Sequence, residues 1–236
     1  MSVESNSITG KSQAQVAYET IKRSILRWEL APGEHVSELQ LSTSFGFGRA
    51  AVRSALTRLS HERLIRPIPR HGYVIEPLTL KHVRDMFGVR LIIEPAAARL
   101  AATTASDAEI GLLEEINERC AHRGGPINET ELRDANKEFH VALARASGNE
   151  RLAEITSAAL DDLQRILYLP PLNRVPTRID ATFDEHEHIL SALRNRNVDE
   201  AEQTTRDHIA VNKDALIEML LSSPLLQSIN LGSGLA

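Results

Sequence analysis

The 236-residue sequence predicts a mainly α fold in two parts, three helices with a small β-hairpin and then an all-α bundle of about six helices. Three observations carry this reading. Aromatic residues make up 4% of the chain and glycines number 12, a poor composition for a sheet sandwich. Apolar residues recur at intervals of three and four along most of the sequence. Strand-like runs are confined to one stretch before Pro77, after which little strand signal remains.

From Ser12 to Glu29, Ala14, Ala17, Tyr18, Ile21, Ile25 and Trp28 form the apolar stripe of one amphipathic helix, which the run "APG" at Ala31–Gly33 stops. "SELQ" at Ser37–Gln40 is a capping-box pattern, in which the serine hydroxyl satisfies an orphan amide and the glutamine reaches back. A short second helix therefore runs to about Phe45. Gly46 supplies a tight turn, and Arg49 to about His61 forms a third helix with Val52, Ala55, Leu56 and Leu59 facing inward. "LIRPI" and "YVIEP" then read as two short strands around "PRHG", a wing with Gly72 at its tip. This order, over residues 12–78, is that of a winged helix-turn-helix, whose third helix enters the DNA major groove.

Charge agrees with that assignment. Residues 1–78 carry ten Lys/Arg and seven Asp/Glu, whereas the remainder carries seventeen and twenty-five, so a basic first part (+3) precedes an acidic second part (−8). From Ser44 to Arg70 six basic residues face one acid. Arg49 and Arg53 are four apart, on a side of the helix distinct from that of Ala55 and Leu59, and the planar guanidinium can take guanine O6 and N7 or a phosphate in a bidentate manner. Arg70 and His71, next to Gly72 in the wing, are placed to meet the minor groove or flanking phosphates. Arg58, Arg63 and Arg66 read either as plain solvated residues or as a source of long-range attraction.

After Pro77 the periodicity predicts helices over 80–103, 106–122, 129–147, 149–168, 177–196 and 198–221, broken at "TTASD", "RGGPIN", "SGN", "LPPLNRVP" and "NRNVD". They predict an antiparallel bundle over residues 79–221, flanked by flexible tails at 1–11 and 222–236. The single Cys120 excludes an internal disulfide framework and a cysteine cluster for zinc, which suits a reducing compartment. With neither an export signal nor a membrane-spanning run, the expected location is the cytoplasm.

Among nine histidines, His35, His61, His82, His122 and His188 read as surface or satisfied core residues. His186 falls in the apolar seam of its helix, His208 follows Ala201 and Thr205 along the inward stripe of the next, and His140 shares one side of a third helix with Asn136. Imidazoles pointing into a bundle from separate helices, joined by an amide oxygen, can hold a divalent ion such as zinc or nickel. Neither an HExxH motif nor a paired inward carboxylate or nucleophile motif accompanies them, and Glu185 and Glu187 are expected to point away from the seam of His186. An enzyme is therefore not expected. The contrasting reading is a metal-dependent hydrolase or lactonase with an appended DNA module.

The run "IKRSILRWELAPGEHVSELQLSTSFGFGRAAVRSALTRLSHERLIRPIPRHGYVI" resembles the DNA-binding domain of GntR-family transcription regulators. Pro32, Gly33, Leu41, Gly46, Arg49, Val52, Arg53, Ala55, Leu56, Leu59, Leu64 and Gly72 carry the match. Gly48 stands where the family usually has Ser, and Trp28 where a helix-ending Gly is usual. "VRLIIEPAAARLAA", "NKEFHVALARASGN", "EHEHILSALRNRNVDEA" and "RDHI" resemble successive helices of the FCD effector-binding domain of the FadR subfamily. The resemblance implies a homodimeric, operator-binding regulator, repression being its expected sense, that answers to a small carboxylate or sugar acid. It implies a divalent metal on Asn136, His140, His186 and His208, with Asn136 in place of the usual Asp, and an effector contact from Arg90. It further implies a near-palindromic operator, read by two recognition helices.

Overall fold

The computed structural model describes residues 11–77, 79–120, 129–168 and 179–222. The chain divides between Pro77 and Leu78 into two compact units. The first contains α1 (Gln13–Leu26), β1 (His35–Val36), α2 (Glu38–Phe45), α3 (Arg49–His61), β2 (Ile65–Ile68) and β3 (Gly72–Ile75).

Helix α1 starts at Ser12, whose hydroxyl accepts from the Gln15 amide at 3.2 Å. It ends with Trp28 at a φ of +64°, in the left-handed region where a bulky side chain is strained and glycine is at ease. Ser37 opens α2 by accepting from the Gln40 amide at 3.1 Å, which is the serine half of the expected capping box. Gly48 opens α3 with no side-chain cap at all. Ile21 and Ile25 of α1 pack with Val52, Leu56 and Leu59 of α3 into a core that Leu41, Ile65 and Ile75 complete.

The sheet has three antiparallel strands in the order β1-β3-β2, one more than the sequence predicts. Two residues give no period to read, and β1 exists only because Val36 pairs with Tyr73, and His35 with Val74, on the edge of β3. Gly72 is not the wing tip. It pairs with Ile68 as the first residue of β3, and the tip is Pro69–Arg70–His71. A Cβ at position 72 would lie 2.5 Å from the Val36 carbonyl oxygen, and φ there is +84°, so the close approach of β1 requires glycine.

The second unit is all helix among its described residues: α4 (Leu80–Thr104), α5 (Asp107–Cys120), α6 (Glu129–Ala146), α7 (Glu150–Leu167), α8 (Ile179–Arg194) and α9 (Val198–Ser222). Expected and observed ends agree to within one or two residues where both are described. Residues 121–122 of the expected second helix and 177–178 of the fifth, with His122 and nearly all of both tails, lie outside the described residues. Small residues bring the helices close: Ala98, Ala101 and Ala102 of α4 meet a core with Leu113, Phe139, Leu143, Ile189 and Leu193. Pro95 lies inside α4 and cannot donate to the Leu91 carbonyl one turn back. Arg206 of α9 fills that role, its Nη1 donating to Leu91 O at 3.2 Å. No helix among the described residues is long and apolar enough to cross a membrane.

Candidate functional site

Three helices of the second unit each deliver one buried imidazole to a common point: His140 from α6, His186 from α8 and His208 from α9. One ring nitrogen from each lies within 4.8 Å of the others. His140 Nε2 and His208 Nε2 are 3.1 Å apart, and Phe139, next to His140 in sequence, lies flat against His186 with ring centroids 3.9 Å apart.

Behind each ring, Nδ1 meets an oxygen from a different helix. Glu94 of α4 puts Oε2 2.8 Å from His140 Nδ1. Asn117 of α5 puts Oδ1 3.1 Å from His186 Nδ1, and Glu185 of α8 puts Oε2 2.7 Å from His208 Nδ1. The Asn117 orientation is fixed, because its Nδ2 donates to the Phe183 carbonyl at 3.4 Å and turns the oxygen toward His186. His186 Nδ1 is thus the donor and Nε2 carries the lone pair. That Nε2 is buried with no hydrogen-bond partner.

Electrostatics keep the rings in the form a metal needs. Burial pushes His140 down to about 4, against the opposing pull of Glu94. Burial, then the neighbouring His208 and His140, hold His186 well below the usual imidazole range. Burial alone would raise Glu94, but the Arg90 guanidinium and His140 outweigh it and hold the carboxyl at about 2. Arg90 grips Glu94 through Nε at 2.5 Å and Nη2 at 3.3 Å, with both side chains only 2% exposed. This is a buried fork, not the ordinary surface ion pair that i, i+4 spacing suggests.

The donor set fits a divalent ion. Nδ1 of each ring lies beside an oxygen, and His140 and His208 meet Nε2 to Nε2; when both Nδ1 atoms carry the proton, two lone pairs face each other there, an arrangement a shared cation relieves. Two imidazoles on one tetrahedral zinc would hold their nitrogens about 3.3 Å apart, close to the separation present. Asn136, the fourth expected ligand, is half-buried one turn before His140 on α6.

Sequence reasoning missed Asn117 and misplaced Glu185, which reaches His208 instead of pointing away from the site. Asn117 carried a signal: it is a polar residue four after Leu113 on the buried stripe of α5. Glu185 carried none, because its contact depends on where α9 lies beside α8.

On the first unit, Arg49, Arg70 and His71 are exposed. Arg53 is 68% exposed but already engaged, with Nε 3.0 Å from Glu38 Oε1 and Nη2 2.8 Å from Oε2. Its hydrogen bonds to Glu38 raise the Arg53 pKa and lower that of Glu38. Arg58 stacks on the Tyr18 ring at 3.6 Å and bonds Glu62, and Arg66 bonds Glu76 at 3.0 Å, so these two brace the fold.

Comparison with known proteins falls on the same two parts. Residues 13–75 match the bacterial regulatory proteins of the gntR family, and residues 85–211 match the FCD domain. The chain is 30% identical over 196 residues to the uncharacterized HTH-type transcriptional regulator YdhC of Bacillus subtilis, covering 81% of this chain and 85% of that one. It is 27% identical to the Nta operon transcriptional regulator of Aminobacter aminovorans (82% and 89% covered). It is 26% identical to the HTH-type transcriptional repressor RspR of Escherichia coli (89% and 91%). The solved structure of E. coli McbR/YncC superposes with a TM-score of 0.75 at 18% identity, over 89% of this chain and 99% of that one, a likeness of fold.

Proposed function

The chain belongs to the GntR family of bacterial transcription regulators, with an FCD domain as its second part, and from that premise we propose a homodimeric, metal-containing repressor whose grip on operator DNA is set by a small carboxylate. GntR regulators bind operator DNA, and Arg49 and Arg53 are assigned to base edges in the major groove, with Arg70, His71 and the Gly72 backbone at the flanking phosphates or minor groove. Two such units on neighbouring grooves read a near-palindrome. The matches to regulators along the chain leave the hydrolase reading without support, and the place of action is the cytoplasm, where the operator lies.

The observation that carries the sensor is the convergence of His140, His186 and His208, with His186 Nε2 buried and lacking a partner. These three hold zinc or nickel in this reading, with the Asn136 amide oxygen as a further donor. Bound there, the metal supplies a Lewis-acid anchor for an anionic oxygen. Phe139 keeps His186 flat and dry, and Arg90 adds fixed positive charge. Arg90 spends Nε and Nη2 on Glu94, and Nη1 is the edge assigned to the effector carboxylate or sugar acid. Such a ligand moves the DNA-binding equilibrium only by its differential affinity for two arrangements of the bundle.

The test is fluorescence anisotropy of the purified chain on an operator recovered from random duplexes, before and after chelation, with a panel of carboxylates and sugar acids. One metal per chain and a metal-dependent change of operator affinity by one acid are expected. Absence of metal, together with indifference to every acid, would overturn the sensor.

A further inference from the structure

Each imidazole of the cluster is held from behind by a different kind of group. His140 has Glu94, a carboxylate already matched by the Arg90 fork, and His186 has the neutral amide of Asn117. His208 has Glu185, which is 22% exposed and immediately precedes His186 in sequence. Helix α8 therefore supplies both one ring of the cluster and the clamp on the ring from α9.

The proton on that clamp can be placed. Asn212 Nδ2 donates to the His208 carbonyl at 2.8 Å, which identifies the atom as nitrogen, and the same Nδ2 lies 3.3 Å from Glu185 Oε2. Asn212 Nδ2 is equally 3.3 Å from His208 Nδ1, but the 2.7 Å contact of that nitrogen with Glu185 Oε2 is the shorter one, and a carboxylate accepting there takes its proton from Nδ1. Nε2 of His208 is left with its lone pair toward His140.

We propose that Glu185 is the positioning residue of this centre: it locks His208 in the Nδ1–H tautomer and supplies, through the ring, negative charge that three imidazoles and an amide lack. The inference rests on the metal reading above. Carboxylate–histidine–metal relays of this kind orient the ring and raise its basicity, and their loss weakens metal binding by about 10- to 100-fold. Where a direct carboxylate ligand is replaced by Asn136, charge delivered from the outer side of a ring has greater weight.

The experiment uses the full chain and zinc alone. In competition with a chromophoric chelator, Glu185→Gln should bind zinc about 10- to 100-fold more weakly at unchanged stoichiometry. Glu185→Asp, which keeps the charge at shorter reach, should fall between, and Asn136→Asp in the Glu185→Gln background should recover affinity. Nitrogen NMR of the metal-free, imidazole-labelled protein should find His208 protonated at Nδ1 in the parent and a tautomer mixture in Glu185→Gln. Unchanged zinc affinity in both Glu185 variants overturns the proposal, as does a parent His208 protonated at Nε2. A parent that takes up no zinc, yet shows the Nδ1–H tautomer lost in Glu185→Gln, overturns the metal reading and the charge-supplying role while leaving the clamp in place. Should Glu185→Gln fail to fold, Glu185→Asp and the parent NMR spectrum decide.

Discussion

His140 and His208 confront each other through Nε2 at 3.1 Å, while each ring presses Nδ1 against a carboxylate on another helix. Four helices thus hold two ring nitrogens at one point. Such an arrangement costs stability by itself and repays it when a cation is bound.

The metal-free protein should lose stability as pH falls from about 6.5 toward 4. His140 has an ordinary value of 6.5 when unfolded and about 4 when folded, so within that window the unfolded chain binds a proton that the folded chain refuses. Stability therefore rises with pH there, by about 3 kcal/mol for His140 across the window, and His186 acts in the same sense. Glu94, held at about 2, stays ionised throughout, and its contribution is lost only as pH falls from 4.5 toward 2. Urea titrations in chelator at pH 7, 6 and 5 measure this. A constant midpoint would contradict it.

Chelation should lower the melting temperature of metal-loaded protein, because a ligand of the folded state stabilises it by mass action. His186→Ala or His208→Ala should abolish most zinc uptake, whereas Asn136→Asp should tighten it by adding a negative donor. Elemental analysis with a chelator competition reads both effects. Zinc uptake undiminished in both alanine variants would place the ion elsewhere.

Arg90→Ala should destabilise the fold by about 3–5 kcal/mol, because it strands the Glu94 carboxylate in a site 2% exposed. Arg90→Lys keeps the charge but loses the fork, so it should fold, bind operator normally and respond weakly to the effector. Thermal melts and operator titrations with and without the active acid separate the two. A stable Arg90→Ala protein would return the pair to the few tenths of a kcal/mol of an exposed one.

Much of the fold was legible because helical period, caps and breakers are local. Ser12, Ser37 and Gly46 mark helix ends as the sequence suggests, whereas α1 stops at Leu26, three residues short of the expected Glu29, and Trp28 leaves the expected stripe at a positive φ because a left-handed residue cannot continue the helix. His186 and His208 were legible for the same reason, since each lies on an apolar stripe, whereas His140 is singled out by its spacing to Asn136 and by the family resemblance. What holds them was not. Whether Arg90–Glu94 is a surface pair or a buried fork depends on the helices packed over it, and Glu185 meets His208 across 23 residues of chain. Strand β1 has no sequence signal apart from the β3 edge that recruits it.

Arg206→Ala should cost about 1–3 kcal/mol despite the partial exposure of its side chain, because the Leu91 carbonyl then loses the donor that stands in for the missing Pro95 amide. In the Pro95→Ala background the helix regains its own donor, and the same substitution should cost much less. A double-mutant cycle by chemical denaturation gives the coupling. Equal costs in the two backgrounds would show that Arg206 acts through Glu202 alone, which it meets at 3.0 Å.

Arg49→Ala and Arg53→Ala should each weaken operator binding by about 1–3 kcal/mol if they read bases, with little change in folding because both side chains are exposed. Arg70→Ala should act more weakly and reduce the salt slope by about one counterion. Glu38 adds a term that is absent from recognition-helix reasoning alone. Its two-point bond orients the Arg53 guanidinium before DNA arrives, and its negative charge repels phosphate. Glu38→Gln should therefore raise affinity for scrambled duplex while lowering the ratio of operator to scrambled binding. Anisotropy on both duplexes at two salt concentrations measures that ratio, and a ratio that stays the same would mean that Glu38 merely neutralises Arg53 in the unbound protein.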